Sequence, residues 1–211
     1  MTQQMLWKKR WHRAVRVALI LQFLPFVRMV GLNGSMATGT FTEESDIDFF
    51  IVAEVHHLYT CRAFVTVLLT LFRLRTRKGA QAGLICLNRY STSDFLDITE
   101  HNSYHARVFH NLIPLFATGD VYEQFQRANK WMTEYGFLVQ EHVPVIQQNL
   151  VVRVIQYITE GLCKIIPHLE LALYNAQLER LRQSPYAQEK HAIIVTTEQE
   201  VRLHVPKKSY V

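Results

Sequence analysis

Apolar positions change their period several times along the chain, and each change predicts an element. A helix is expected from about Leu6 to Phe23, with Pro25 as its stop, and then a strand from Phe26 to Leu32. The stretch from Gly31 to Val52 reads as strand, tight turn, short helix and second strand. An apolar approach reaches Gly34-Ser35, and a polar turn opens onto Ser45-Asp46-Ile47-Asp48 and the apolar Phe49-Phe50-Ile51-Val52. From His57 to Leu74 nearly every position is apolar, and Arg62, Thr66, Thr70 and Arg73 form a single polar stripe at helical spacing. That pattern predicts a buried helix covering the sheet. Gly79 and Gly83 then bracket the entry to a third strand, Leu84-Ile85-Cys86-Leu87.

Beyond Asn88 the expected pattern is helical. Tyr104, Val108, Leu112 and Phe116 share a face, and Pro114 falls near the end of that helix. Asp120 with Glu123 resembles a capping box, opening a helix through Val121, Phe125, Ala128 and Met132 that Gly136 closes. An apolar face that includes Val151, Val154, Ile155, Ile158, Leu162, Ile165 and Leu173 implies a long helix, kinked or broken near Pro167. Near the end, Ile193-Ile194-Val195 and the segment from Val201 to His204 read as short strands or loose chain.

Composition narrows the class. With 211 residues, 49% of them hydrophobic, the chain can build one substantial core or a domain with a helical appendage, which excludes disorder. A net charge of +5 favours polyanionic partners such as nucleotide, RNA or an acidic protein. Lys8, Lys9, Arg10, Arg13, Arg16 and Arg28 make the start basic. The apolar stretch from Val17 to Val27 is nevertheless shorter than the roughly 20 residues of a membrane span, and it leads straight into the Gly34-Ser35 strand. An uncleaved chain without stable membrane insertion is expected. The three cysteines, Cys61, Cys86 and Cys163, show no C-x-x-C spacing and predict buried free thiols in a reducing, cytoplasmic setting. The basic run Arg73, Arg75, Arg77 and Lys78 reads as a solvated turn, and His105 and His110 as surface or partly buried histidines.

Candidate chemistry concentrates in one stretch. Side chains alternate along a strand, so Asp46 and Asp48 share a face about 6.6 Å apart at the backbone while Ile47 points into the core. Two carboxylates aimed at one point repel and invite a divalent cation, and oxygen donors suit Mg²⁺ or Mn²⁺. Gly34 permits close backbone approach, Ser35 offers a hydroxyl, and a helix starting there points N–H groups at an anion.

Gly34-Ser35-x-Ala37-x-Gly39, followed by Ser45-Asp46-Ile47-Asp48 and the apolar run to Val52, resembles the signature of the DNA polymerase β-like nucleotidyltransferase superfamily. The resemblance implies an α+β fold: a small mixed β-sheet core with helices on it over residues 1–100, then a helical region over 101–211. It implies that Gly34 and Ser35 hold a nucleoside triphosphate, that Asp46 and Asp48 bind catalytic metal, and that a third carboxylate comes from a later strand. A weaker likeness at Ile85-Cys86-Leu87-Asn88, Tyr104 to Pro114 and Tyr122 to Trp131 points to a bacterial group that joins such a domain to a helical region.

The function expected from the resemblance is metal-dependent transfer of a nucleoside monophosphate from a triphosphate such as ATP. The acceptor is a small molecule, protein or RNA. The competing class is a non-catalytic nucleotide-binding or interaction module, because no acid lies in Leu84 to Leu87. Asn88, Asp94 and Asp97 are the alternatives for the third position.

Overall fold

The computed structural model describes residues 2–76, 82–138, 145–184 and 193–204. Arg77, Lys78 and Gly79, which belong to the expected basic run and turn, lie outside them. Thr2 accepts a hydrogen bond from the Met5 N–H and opens α1 (Gln3–Leu21), whose buried stripe runs Leu6, Arg10, Ala14, Val17, Ala18 and Leu21. Then come β1 (Val27–Asn33), α2 (Gly34–Thr38), β2 (Ile47–Ala53), α3 (Leu58–Leu71) and β3 (Ile85–Thr92). The second half contributes α4 (Ser103–His110), β4 (Ile113–Ala117), α5 (Val121–Ala128), a 3-10 turn (Lys130–Tyr135), α6 (Leu150–Ile165), α7 (Leu169–Arg182), β5 (Ile193–Thr196) and β6 (Glu200–His204).

The strands form one six-stranded mixed sheet in the order β4-β1-β2-β3-β6-β5, parallel only between β2 and β3. The fold is α+β, as expected, and strands from both sides of residue 100 share the sheet. Alternation along β2 divides the core in two. Ile47, Phe49, Ile51 and Ala53 join a cluster with α1 and α3, whereas Phe50 and Val52 join Phe109, Tyr122 and Phe125 of α4 and α5. Asp48 therefore stands on the α4–α5 face.

Several expectations are corrected. The third strand continues to Thr92, because Arg89, Tyr90 and Ser91 pair with β6 as well as β2. The predicted helix through Phe116 stops at His110, and Ile113–Ala117 is strand β4 against β1. Pro114 fits there because β4 is the outermost strand, where a missing N–H leaves no ladder bond unmade. Asp120 makes no capping bond; its carboxylate accepts from Gln124 and Arg127 instead. The helix it precedes ends at Asn129, whose side chain bonds Ile98, Leu96 and Phe125, and Gly136 closes the 3-10 turn at φ 83°. The long C-terminal helix breaks at Pro167 into α6 and α7, as its proline requires.

Two helices turn polar residues inward; α3 still covers the sheet with Leu58, Cys61, Val65 and Leu69, as expected. Arg62 of α3 is buried over the Tyr90 ring, while Val67 and Leu71 are exposed. On α6 the inward residues include Gln156 and Glu160. Gln156 Nε2 donates to the Leu24 and Val27 carbonyls at 2.9 and 3.0 Å, and Glu160 accepts from the Phe26 N–H and from Arg28, both at 2.8 Å. Val151, Ile155, Ile158, Leu162 and Ile165 face outward. Glu170 of α7 accepts from the Tyr59 and Thr60 N–H groups, so a carboxylate from a distant helix satisfies the start of α3. Among the described residues, no helix is long and apolar enough to cross a membrane.

Candidate active site

The site begins where β1 runs out. Gly34 has φ +65°, and a Cβ there would collide with Asp48 Oδ2 and sit 2.9 Å from its Cγ. Only glycine meets both demands. The short α2 leaves its first N–H groups without partners inside the helix, and Gly39 at φ 76° ends it. The loop to β2 is tied down on two sides. Ser45 Oγ accepts from the Thr42 N–H at 2.9 Å, and Arg10 of α1 donates to the carbonyls of Thr42 and Glu43 at 2.6 and 2.5 Å. The Gly83 N–H donates to Ser45 O at 2.9 Å and the Ile47 N–H to Leu84 O at 2.8 Å, which holds Asp46 between two backbone anchors.

Asp48 lies directly opposite Cys86 in the parallel β2–β3 register. One donor atom from each of Asp46, Asp48 and Cys86 lies within 4.8 Å of the other two, and all three side chains are half-buried. Asn88 Nδ2 donates to Asp48 Oδ1 at 2.9 Å. Burial pushes the Cys86 thiol well up, Asp48 and Asp46 push it further, and a hydrogen bond with Thr76 works against them. Asn33, paired with Asp48 across β1 and β2, is buried on the same face. A basic cleft of about 460 Å³ lies alongside, lined by Leu6, Lys9, Arg10, Arg13, Glu43 and Gly83. Burial lowers the pKa of Arg10, and the charge of Asp46 opposes that shift.

Gly34, Ser35, Asp46 and Asp48 are thus gathered at one end of β1 and β2. Asp94 and Asp97 are not. They follow the far end of β3, where the Ser93 N–H donates to Ala53 O, and Asp97 contacts His101. Five residues of strand separate Asp48 from Ala53, about 16 Å. The strand position facing Asp48 belongs instead to Cys86, which sequence reasoning counted only as a buried thiol. Its signal was present in Ile85-Cys86-Leu87, where two core-facing residues aim the one between them at the opposite face.

Residues 16–89, about a third of the chain, match the family model of the nucleotidyltransferase domain. This segment is similar to nucleotidyltransferase domains. The match takes in β1, α2, β2 and the start of β3, and it bears out the resemblance to the polymerase β-like superfamily. No curated protein and no solved structure matches the chain. The matched segment also carries a donor set suited to a divalent ion: two carboxylates converge with a third donor, and Gly34 leaves room for Asp48.

Proposed function

We propose that the nucleotidyltransferase domain moves a nucleoside monophosphate from a nucleoside triphosphate, ATP being the first to test, onto a hydroxyl or phosphate of a small-molecule, protein or RNA acceptor. The observation that carries this reading is the convergence of Asp46 and Asp48 beside Gly34. Gly34 and Ser35 hold the phosphates through backbone N–H groups and the Ser35 hydroxyl. Asp46 and Asp48 hold the divalent ion, Mg²⁺ or Mn²⁺, which supplies charge stabilisation to the attacking and leaving oxygens of an in-line displacement. The acceptor oxygen bonds the α-phosphorus as the bond to pyrophosphate breaks, and the acceptor's proton passes to water. The basic cleft beside Asp46 suits an anionic acceptor, and the cysteines suit a reducing, cytoplasmic setting.

Calorimetry with nucleoside triphosphates in Mn²⁺, repeated with EDTA, tests the reading. Tighter binding with the ion is expected, and Asp46→Asn or Asp48→Asn should remove the difference. Equal affinity in both conditions overturns it.

One observation favours a second reading, a nucleotide-binding module without turnover: Cys86, not an acid, stands opposite Asp48. Metal-dependent binding of triphosphates, with no transfer of an α-phosphate label to any fraction of a cell extract, selects that reading.

A further inference from the structure

We propose that Cys86 is the third protein ligand of the ion held by Asp46 and Asp48, so that this site takes divalent ions that accept sulfur (Zn²⁺, Co²⁺) in preference to Mg²⁺. The proposal rests on the nucleotidyltransferase reading of the same site and narrows the ion it uses.

Three observations carry it. The first is register. Cys86 faces Asp48 on the neighbouring parallel strand, while Ile85 and Leu87 on either side point into the α1–α3 core. The thiol is therefore directed to the carboxylate face by the same alternation that directs Asp48.

The second is convergence. Sulfur and the two carboxylate oxygens lie within 4.8 Å of one another. A tetrahedral ion with such ligands holds its donors about 3.5 Å apart. Small side-chain rotations of about 1 Å bring the set to that spacing.

The third is independent of the cysteine. Asn33 is 7% exposed, and its Oδ1 has no hydrogen-bond partner among the described residues. It pairs directly with Asp48 across β1 and β2, so both side chains stand on the same face. A buried amide oxygen without a donor, on the same face as the Asp48 carboxylate paired with it, is itself an oxygen donor for a cation.

The donor chemistry then selects the ion. An all-oxygen set suits Mg²⁺, whereas one thiolate among two carboxylates shifts preference toward Zn²⁺ and other ions that accept sulfur. On binding, the S–metal bond forms as the thiol proton leaves to solvent, with no change of oxidation state.

Titrating the full chain with Co²⁺ tests this. One equivalent should give a sulfur-to-cobalt charge-transfer band in the near ultraviolet. Zn²⁺ should displace the band, and a large excess of Mg²⁺ should leave it in place. Cys86→Ser should abolish it although Cys61 and Cys163 remain, and Asp48→Asn should weaken it. Cys86→Asp keeps the comparison open if the serine variant does not fold, and it should reduce the preference for Zn²⁺ over Mg²⁺ by at least about tenfold. Bound Co²⁺ without the band, a band that survives Cys86→Ser, or an unchanged preference in Cys86→Asp each overturns the proposal. Metal-dependent triphosphate binding without the band removes the thiolate ligand and leaves the nucleotidyltransferase reading standing. The band without triphosphate binding supports the thiolate site and removes that reading.

Discussion

The carboxylate of Asp48 occupies the space that a side chain on residue 34 would need, with Cγ 2.9 Å from where the Cβ of that residue would be. Gly34 is therefore part of the carboxylate cluster's architecture as well as of the turn, and one methyl group would disturb both.

Gly34→Ala should lose about 1–3 kcal/mol of stability from its positive φ alone, because a Cβ is strained there. It should also push Asp48 away from Asp46 and Cys86. The urea midpoint should fall, and the effect of Mn²⁺ on triphosphate affinity should vanish. A variant that keeps the full metal effect would show that Asp48 does not need its present position.

Asn88 neutralises nothing, yet it donates to Asp48 at 2.9 Å. Asn88→Asp replaces that donor with a like charge, and two charges about 4 Å apart repel by about 4 kcal/mol at an effective dielectric of 20. The thermal midpoint should drop in EDTA and recover in saturating Mn²⁺, because an ion that binds only the folded chain stabilises it. Equal midpoints in the two conditions would count against an ion at Asp48.

Glu160 joins α6 to the start of β1 through the Phe26 N–H and Arg28. Glu160→Ala leaves the Phe26 N–H without its acceptor and removes one of the two carboxylates on Arg28, Glu54 being the other, which typically costs about 1–3 kcal/mol. Glu160→Gln keeps an acceptor for the N–H and should cost less. Urea unfolding of both variants measures the difference, and equal losses would assign the effect to packing.

His57 stacks on Phe26 with ring centroids 3.9 Å apart. Burial holds its pKa below the usual 6.5, with Lys164 acting in the same direction and Glu170, Glu54 and Glu160 opposing. Between that lowered value and 6.5 the unfolded chain binds more protons than the folded one. Stability should therefore fall as pH drops from about 6.5 through the folded value, and level off below it as far as this group is concerned. The slope should flatten in His57→Gln, and an unaltered slope would assign it to another group.

The site was more legible than its surroundings because its local rules agree. A glycine at positive φ, two acids one residue apart and an apolar strand behind them all specify the same turn. The misreadings came where pairing or distant partners overrule local pattern. Leu112 and Phe116 sit four apart, which is helical spacing, but Asn111 ends α4 and β1 captures Ile113–Ala117 as a strand. On α6 the apolar stripe was visible while its direction was not. Gln156 and Glu160 find the Leu24, Phe26 and Val27 backbone groups and Arg28 about 130 residues earlier in the chain, and those bonds turn the polar stripe inward. Cys86 was missed for a related reason: a lone cysteine in an apolar run reads as core until register puts it opposite Asp48.

The strand order carries a consequence for how the chain is made. β1, β2 and β3 sit together in the middle of the sheet, and the strands that flank them, β4 and β6, both lie after residue 89. Arg89 pairs with Arg202, about 110 residues later, so this half of the sheet is a contact of high sequence separation and closes slowly. While the later chain is still being synthesised, the outer N–H and C=O groups of β1 and β3 are templates for any extended segment nearby. Cutting the chain after the matched segment would make that transient exposure permanent, and the excised piece should aggregate where the full chain does not.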